Sequence, residues 1–287
     1  MRIGLSTYSL LKAFKSGSMT PLSGIDWIAR NGGEHVEVAP IGFDLTAEFA
    51  TQFRKRAEDA GIAVSSLVVG ANFLTETSAA YEAEVERVKR VVDLATVLGV
   101  TRMRHDVAWL SPEQSGIARF EQELPRMAEA CQRIADYAAS TGIVMSVENH
   151  GFFVQHSDRV LRLVQAVNRD NYRITLDVGN FCCVDEDPVA AVKKCMPYVS
   201  MVHVKDLYLR HQAQSPGQGW FTSVGGCHLR GAIIGAGDLR MEDLLRAVAQ
   251  GGYDGDLSVE FEGLEDCEFG SLEGMKQTRR IWDSVCR

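Results

Sequence analysis

The sequence of 287 residues predicts a (β/α)8 barrel that occupies the chain from residue 1 to residue 287 as one domain. Short apolar segments alternate with amphipathic segments along the whole chain, and four of the short segments end on an acidic residue or a histidine. In a (β/α)8 barrel the active site lies at the carboxyl ends of the strands, so the two observations agree. An open doubly wound sheet would need a glycine-rich phosphate turn after an early strand, and the sequence has none there.

Eight segments are rich in residues that favour strands: 3–9, 35–39, 63–69, 102–107, 143–150, 172–178, 200–205 and 257–261. The amphipathic segments of helical period between them are 22–29, 47–60, 81–98, 114–140, 157–168, 188–196 and 241–249. The stretch 207–240 breaks this rhythm because it is long and glycine-rich. We expect it to be either a lid or substrate wall at the catalytic end of the barrel, or a flexible surface insertion.

Composition excludes several classes of function. A net charge of −8, from 30 basic and 38 acidic residues, disfavours nucleic acid as a partner, because phosphate binding needs a basic surface. No apolar run approaches the roughly 18 residues of a membrane span, and the first residues lack the pattern of a signal peptide. The seven cysteines form no CxxC pair, which is typical of free thiols in a reducing compartment. We therefore expect a cytoplasmic protein with a small-molecule partner.

Four candidate metal ligands lie near the carboxyl ends of their strands: Glu148, Asp177, His203 and Glu260. Side chains alternate between the two faces of a strand, so each of these residues can face the barrel interior. Ordinary polar strand ends are the alternative, but two inward glutamates would repel one another without a cation. Three carboxylates and one imidazole suit a divalent ion, with Mn²⁺ as the first expectation and Mg²⁺, Co²⁺ or Zn²⁺ as alternatives.

Five further side chains are candidates for substrate binding, each with a structural alternative. His150 can bind a substrate hydroxyl or be packed, and Lys205 can stabilise an oxyanion or pair with an aspartate. His105 ends the fourth strand as a possible substrate wall. Glu37 can accept from a sugar hydroxyl or balance a basic residue. Trp220 can stack on a sugar face or be buried.

The pattern of strand ends resembles the sugar isomerase/epimerase superfamily with a xylose-isomerase-like TIM barrel, which includes ketose 3-epimerases, hydroxypyruvate isomerases, and inosose isomerases and dehydratases. The resemblance covers essentially the whole chain. Its most specific motifs are Val147-Glu148-Asn149-His150, Leu176-Asp177-Val178-Gly179-Asn180, Val202-His203-Val204-Lys205-Asp206, the turn 235–238 and the run 253–260. The resemblance implies that the four candidate ligands bind one divalent metal, and that Glu148 and Glu260 also act as acid and base.

The sequence departs from the family pattern at one position. Many epimerases of the family have a histidine three residues after the strand-six aspartate, and this chain has Asn180 there. The departure weakens a specific epimerase assignment. It also argues against the DNA-repair endonucleases of the same barrel type, which need further histidine ligands. Glu262 lies on the same face as Glu260 and is a competing ligand, but the motif aligns at Glu260.

These observations leave three hypotheses for function. The first is a metal-dependent isomerase or epimerase that moves a proton next to a carbonyl in a small keto-sugar, keto-polyol or hydroxy-keto acid, through an enediolate. The second is a lyase on the same barrel, such as an inosose or dehydroshikimate-type dehydratase or a 3-keto-glycoside deglycosidase. The third is a non-catalytic sugar-binding subunit, which the complete ligand set disfavours. We also expect a homo-oligomer, either a dimer or a tetramer.

Overall fold

Eight parallel strands close into a barrel in the computed structural model, which describes residues 1–286. The strands of the described chain are β1 (Arg2–Ser6), β2 (His35–Val38), β3 (Ala63–Val69), β4 (Arg102–His105), β5 (Val144–Glu148), β6 (Tyr172–Asp177), β7 (Val199–Val204), β8 (Asp206–Arg210), β9 (Phe221–Thr222), β10 (His228–Ala232) and β11 (Asp256–Val259). Strands β1 to β7 follow one another around the barrel, and β11 closes it between β7 and β1. The predicted (β/α)8 fold is confirmed.

Helices connect the strands and cover the outside of the barrel. They are α1 (Leu11–Ser16), α2 (Pro21–Arg30), α3 (Ala47–Asp59), α4 (Ser78–Leu98), α5 (Ile117–Ala139), α6 (Ser157–Val167), α7 (Pro188–Cys195), α8 (Met241–Gln250) and α9 (Cys267–Val285). The sequence prediction includes seven of them and lacks α1 and α9. Within the described residues, no helix is both long enough and apolar enough to cross a bilayer.

Helix α4 illustrates how the sequence builds this outer layer. Thr77 caps its amino end by accepting a hydrogen bond from the backbone N–H of Ala80. Val85, Val88 and Val92 recur at helical spacing and are fully buried, so they form the face that packs on the barrel. Gly99 ends the helix with a φ of 75°, a left-handed conformation that glycine adopts without a steric penalty.

The register of the parallel strands brings the candidate ligands to one level. Asp177 of β6 lies beside His203 of β7 in the strand pairing. One layer deeper, the hydroxyl groups of Ser146 and Thr175 are 2.8 Å apart inside the barrel. Because all eight strands are parallel, their carboxyl ends open at the same end of the barrel.

The stretch 207–240 contains regular structure, which corrects the alternative of a flexible surface insertion. Strands β8, β10 and β9 form a small antiparallel sheet, in which Arg230 lies opposite Tyr208. The sheet continues directly from β7, with Lys205 as the only residue between β7 and β8. At this same end, Gly231, which lies opposite Leu207, pairs with Gly263 of the segment that follows β11. This β8–β10 sheet is therefore attached to the barrel through two contacts at its base.

Candidate metal centre and active site

The structure brings the four predicted ligands together at the carboxyl ends of the barrel strands. Each of Glu148, Asp177, His203 and Glu260 offers one ligand atom, and these atoms all lie within 4.8 Å of one another. All four residues are buried. Glu148 and Asp177 are the last residues of β5 and β6, and Glu260 directly follows β11. Adjacent parallel strands thus deliver their terminal side chains to one point.

Local hydrogen bonds fix the orientation of Asp177. Its Oδ1 accepts hydrogen bonds from the backbone N–H groups of Gly179 (2.8 Å) and Asn180 (3.0 Å). The side chain of Asn149 donates to the carbonyl oxygen of Asp177 and accepts from its N–H, both at 2.9 Å. Only Oδ2 lacks a hydrogen bond, so this atom faces the ligand set. Asn149 thereby ties the ends of β5 and β6 to each other.

The imidazole of His203 lies between carboxylates on both sides. Its Nδ1 is 3.4 Å from Oε1 of Glu260 and 3.7 Å from Oε1 of Glu148. On the opposite side, its Nε2 is 2.9 Å from Oε2 of Glu37. Burial would lower the pKa of His203, but the three carboxylates raise it well above its usual value. A cation at the ligand set therefore has to displace a proton from His203.

Glu148 and Glu260 have different neighbours. Nη2 of Arg104 lies 2.5 Å from Oε2 of Glu148, and Asn180 donates to its Oε1 at 3.0 Å. Burial would raise the pKa of Glu148, but Arg104 and His203 hold it well below its usual value. For Glu260, burial raises the pKa, and His203 and Lys205 do not offset this effect. Glu260 is thus the better proton acceptor of the two.

Lys205 lies among several acidic side chains. Its Nζ is 3.2 Å from Asp177, 3.3 Å from Glu260 and 3.2 Å from Glu262. Burial would lower the pKa of Lys205, but these carboxylates raise it well above its usual value. The ammonium group therefore stays charged beside Glu260. The pairing with Asp177 matches the structural alternative from the sequence, and Lys205 also lines the cavity.

A second ionic chain connects β4 with β5. Arg104 contacts Asp106 at 2.8 Å in addition to Glu148. Nδ1 of His150 lies 3.3 Å from Oδ1 of Asp106, and 43% of the His150 side chain is exposed. Burial would lower the pKa of His150, but Asp106 raises it above its usual value. The imidazole is therefore held by Asp106 at the wall of the cavity.

A cavity of about 370 Å³ opens above the ligand set. This volume lies within the range of small-molecule sites. Its polar wall consists of Tyr8, Arg87, Arg104, Asp106, Glu148, His150, Lys205, Glu260 and Glu262. Its apolar wall consists of Ala39, Pro40, Ile41, Val68, Val69 and Gly70. The cavity thus combines many hydrogen-bonding groups with one apolar side, as a small polar molecule would require.

Three predicted substrate-binding residues do not belong to the described cavity wall, which corrects the prediction for them. The buried ring of His105 packs against other aromatic rings, with its centroid 5.7 Å from that of Phe73 and 5.9 Å from that of Tyr172. Glu37 is fully buried against His203, which corresponds to its structural alternative. Trp220 lies on the β8–β10 sheet under Arg230 and Arg210.

Five residues of the polar wall are absent from the predicted site: Tyr8, Arg87, Arg104, Asp106 and, as a substrate contact, Glu262. The alternation of side chains in β4 could have identified two of them, Arg104 and Asp106. Since the strand pairs with β5, the residues at positions 104 and 106 share the face of Glu148 and His150, and position 105 takes the opposite face. The sequence prediction instead named His105 as the substrate wall of this strand.

The donor set fits a divalent cation on the evidence of its own atoms. Oδ2 of Asp177 and Nδ1 of His203 are buried and complete no aligned hydrogen bond in the described chain, although Nζ of Lys205 lies 3.2 Å from Oδ2. Buried polar atoms normally have a partner, so two such atoms within one cluster are consistent with a bound cation. Three carboxylates and one imidazole are ligands that Mn²⁺, Mg²⁺, Co²⁺ and Zn²⁺ accept.

Comparison with known proteins agrees with this geometry. A family model described as xylose isomerase-like TIM barrel matches residues 25–283, which is most of the sequence. The chain belongs to this family. Among solved structures, the family fold recurs in the IOLI protein with a binding zinc atom (15% identity, 99% of each chain covered, TM-score 0.76).

Other solved structures with a similar fold have different described activities. D-psicose 3-epimerase is similar at 16% identity, with 98% of this chain and 99% of that chain covered and a TM-score of 0.74. The probable 3-DHS dehydratase AsbF of Bacillus anthracis is similar at 15% identity, with 96% and 98% covered and a TM-score of 0.75. At these identities the likeness shows the fold alone.

Inosose dehydratases are the relatives found by sequence. The protein of Lacticaseibacillus casei is 24% identical over 144 residues, and that of Clostridium botulinum strain Alaska E43 / Type E3 is 25% identical over 149 residues. Each match covers 50% of this chain and 48% of the relative. The matched region therefore spans about half the length of these relatives.

Proposed function

We propose that this protein is a divalent-metal-dependent enzyme that moves a proton on the carbon next to the carbonyl of a small, uncharged polyhydroxy ketone. The observation that carries the proposal is the buried cluster of Glu148, Asp177, His203 and Glu260, with ligand atoms within 4.8 Å of one another at the base of a cavity. A divalent cation, when bound, polarises a carbonyl and stabilises negative charge on its oxygen.

Glu260 is the proposed base. It lines the cavity, burial raises its pKa, and no arginine pairs with it among its described ion-pair partners. Lys205, 3.3 Å from Glu260, stays protonated and supports negative charge that develops on the substrate. His150 lies at the cavity wall, where its exposed ring can bind a hydroxyl group or return a proton.

The charges in the cavity support an uncharged substrate. Arg87 is paired with Glu84, and Arg104 is paired with Glu148 and Asp106. Lys205 is surrounded by three carboxylates. Every described cation of the cavity wall is therefore already neutralised, which disfavours phosphorylated and carboxylated substrates. Sugars, polyols and inososes present hydroxyl groups that match the remaining donors and acceptors.

Isomerisation or epimerisation is the first candidate reaction, because it needs only removal and return of the proton. Dehydration is the second candidate, and two observations favour it. The relatives found by sequence are described as inosose dehydratases. In addition, the charged Lys205 lies beside Glu260, where an acid could protonate a leaving hydroxyl group.

A panel of neutral keto-sugars and inososes in D₂O with Mn²⁺, followed by NMR, tests the proposal. Deuterium incorporation without loss of water identifies an isomerase or epimerase, and an unsaturated product identifies a dehydratase. The variant His203→Ala, which lacks the imidazole ligand, should retain no metal by elemental analysis and show neither outcome. Exchange that persists in this variant without bound metal would contradict the proposed role of the site.

A further inference from the structure

Glu37 is a buried acid whose place in the barrel the proposed reaction does not explain. It lies on β2, its side chain is fully buried, and it does not line the cavity. A buried charge needs a partner, because its desolvation is costly.

The partner of Glu37 is the ligand histidine. Oε2 of Glu37 lies 2.9 Å from Nε2 of His203 as an ion-pair contact, and neither carboxylate oxygen completes an aligned hydrogen bond in the described chain. The other ring nitrogen, Nδ1, faces Glu148 and Glu260. The two nitrogens therefore face different groups, one towards the ligand set and one towards the buried acid.

We propose that Glu37 is a positioning residue that orients His203 for metal binding, an inference that rests on the proposed metal-dependent function. A carboxylate at Nε2 keeps the proton on that nitrogen and leaves the lone pair of Nδ1 for the cation. It also prevents rotation of the ring and raises the basicity of the ligand. Carboxylate partners of this kind change metal affinity by roughly 10- to 100-fold when they are removed.

The position of Glu37 in the barrel is consistent with this role. Strands β2 and β7 are not neighbours, since β1 and β11 lie between them. The contact therefore crosses the barrel interior, and it lies on the side of His203 away from the other ligands. A substrate in the cavity has no access to Glu37, so its effect on catalysis can pass only through His203.

The test measures metal affinity of the full-length protein without any substrate. Competition titration with a chromophoric chelator gives the Kd for Mn²⁺ and Co²⁺, and the Co²⁺ absorption spectrum reports the ligand field of the bound ion. We expect Glu37→Gln to weaken binding by roughly 10- to 100-fold and to change the Co²⁺ spectrum. Glu37→Asp keeps the charge at a greater distance and should lie between the wild type and Glu37→Gln.

Asp106→Asn is the matched control. It removes the charge of a half-buried carboxylate that contacts Arg104, and Arg104 in turn contacts the ligand Glu148. We expect a smaller loss of affinity and an unchanged Co²⁺ spectrum for this variant. Equal losses in Glu37→Gln and Asp106→Asn would overturn the inference, because they would indicate a general charge effect. If the wild type binds metal tightly and Glu37→Gln binds it equally well, the inference about Glu37 is overturned but the proposed function stands. If the wild-type protein binds no ion, both the inference and the proposed function are overturned.

Discussion

Glu148 and Glu260 are both candidate ligands, yet their surroundings assign them different roles. Arg104 and Asn180 hold Glu148 in its charged form, which suits a permanent ligand. Glu260 contacts the ammonium group of Lys205 and has a raised pKa, which suits a group that exchanges protons. An identical substitution at the two positions should therefore have different consequences.

We expect Glu260→Gln to retain metal and to lose roughly 10²- to 10⁴-fold in turnover, the usual contribution of a positioned base. Glu148→Gln should lose more metal affinity, because its amide N–H₂ would face Arg104 or Asn180 in place of an accepting oxygen. Elemental analysis and solvent-deuterium exchange of the substrate measure the two effects. The assignment of Glu260 as the base would be reversed by the opposite result. In that case Glu260→Gln would still exchange the substrate proton with solvent deuterium, and metal-loaded Glu148→Gln would not.

Arg104 contributes to stability as well as to the site. It is buried and pairs with both Glu148 and Asp106, so Arg104→Met leaves two carboxylates without their cation. We expect this variant to lose about 3–5 kcal/mol in the free energy of unfolding, measured by urea denaturation. Adding Glu148→Gln to it should recover part of the loss, and a double variant as unstable as the sum of the two single variants would contradict this pairing.

The four ligands could be predicted because each ends a short apolar run, where chain position alone places it at the barrel mouth. Arg104 and Asp106 could not be predicted in the same way, because β4 contains only one apolar residue, Met103, among its four residues. Without an apolar run the inward face of β4 is undefined until its pairing with β5 is known. His105 was misplaced for this reason.

At the scale of elements, the β8–β10 sheet depends on one buried aspartate at its base. Oδ1 of Asp206 accepts hydrogen bonds from the N–H groups of Leu207 (2.8 Å) and Leu239 (3.3 Å), and Oδ2 accepts from Gly235 (2.8 Å) and Gly237 (3.0 Å). One carboxylate therefore joins the start of the sheet to the chain that leaves it. The sequence did not predict this clamp, because backbone amides donate all four hydrogen bonds. The glycine content of the stretch suggested a loop instead.

Asp206→Asn should loosen this sheet at its base. The asparagine N–H₂ group cannot accept the two hydrogen bonds made to one oxygen, and each unpaired buried N–H costs about 1–3 kcal/mol. We expect faster hydrogen exchange at Gly235 and Gly237 and faster proteolysis of the sheet. Asp238→Asn is the control, because Asp238 is exposed and its side chain accepts hydrogen bonds from Leu209 and Arg210 instead. Equal rates of hydrogen exchange at Gly235 and Gly237 in both variants would contradict the role of Asp206 as a clamp.

Element boundaries followed from the sequence where apolar periodicity is strong. The third strand was predicted over its observed range, Ala63–Val69, because five of its seven residues are apolar and turns flank it. Helix α9 was not predicted, since Gly270 and Gly274 interrupt its helical pattern. Packing requires a glycine at position 270, where a Cβ would lie 2.3 Å from the ring of Phe261, and leaves little room at Gly274, where a Cβ would lie 3.0 Å from Val259.

At the scale of the whole molecule, the first and last strands meet and close the barrel. Strand β1 pairs with β11 from Arg2 opposite Asp256 to Leu5 opposite Val259. Asp256 begins β11 and therefore lies at the end of the barrel away from the candidate site. Residues distant in sequence thus complete one sheet, and we expect the barrel to unfold in a single cooperative transition.

Asp256→Asn tests the closure of the barrel. Asp256 is 2% exposed and pairs with Arg2 at 2.7 Å and Arg102 at 2.9 Å, so we expect a loss of about 1–3 kcal/mol in the free energy of unfolding at pH 7.

Burial would raise the pKa of Asp256, but the arginines hold it below its usual value. A lowered folded-state pKa stabilises the protein above the unfolded-state value near 4 and loses this effect as the pH falls below it. Urea titrations followed by circular dichroism measure the difference in free energy of unfolding between wild type and variant. This gap should be constant from pH 7 to pH 5 and should narrow below about pH 4. The control is Asp254→Asn, which changes an exposed neighbour and should leave the stability unchanged. A gap that stays constant well below pH 4 would show that the stability contributed by Asp256 does not come from its charge.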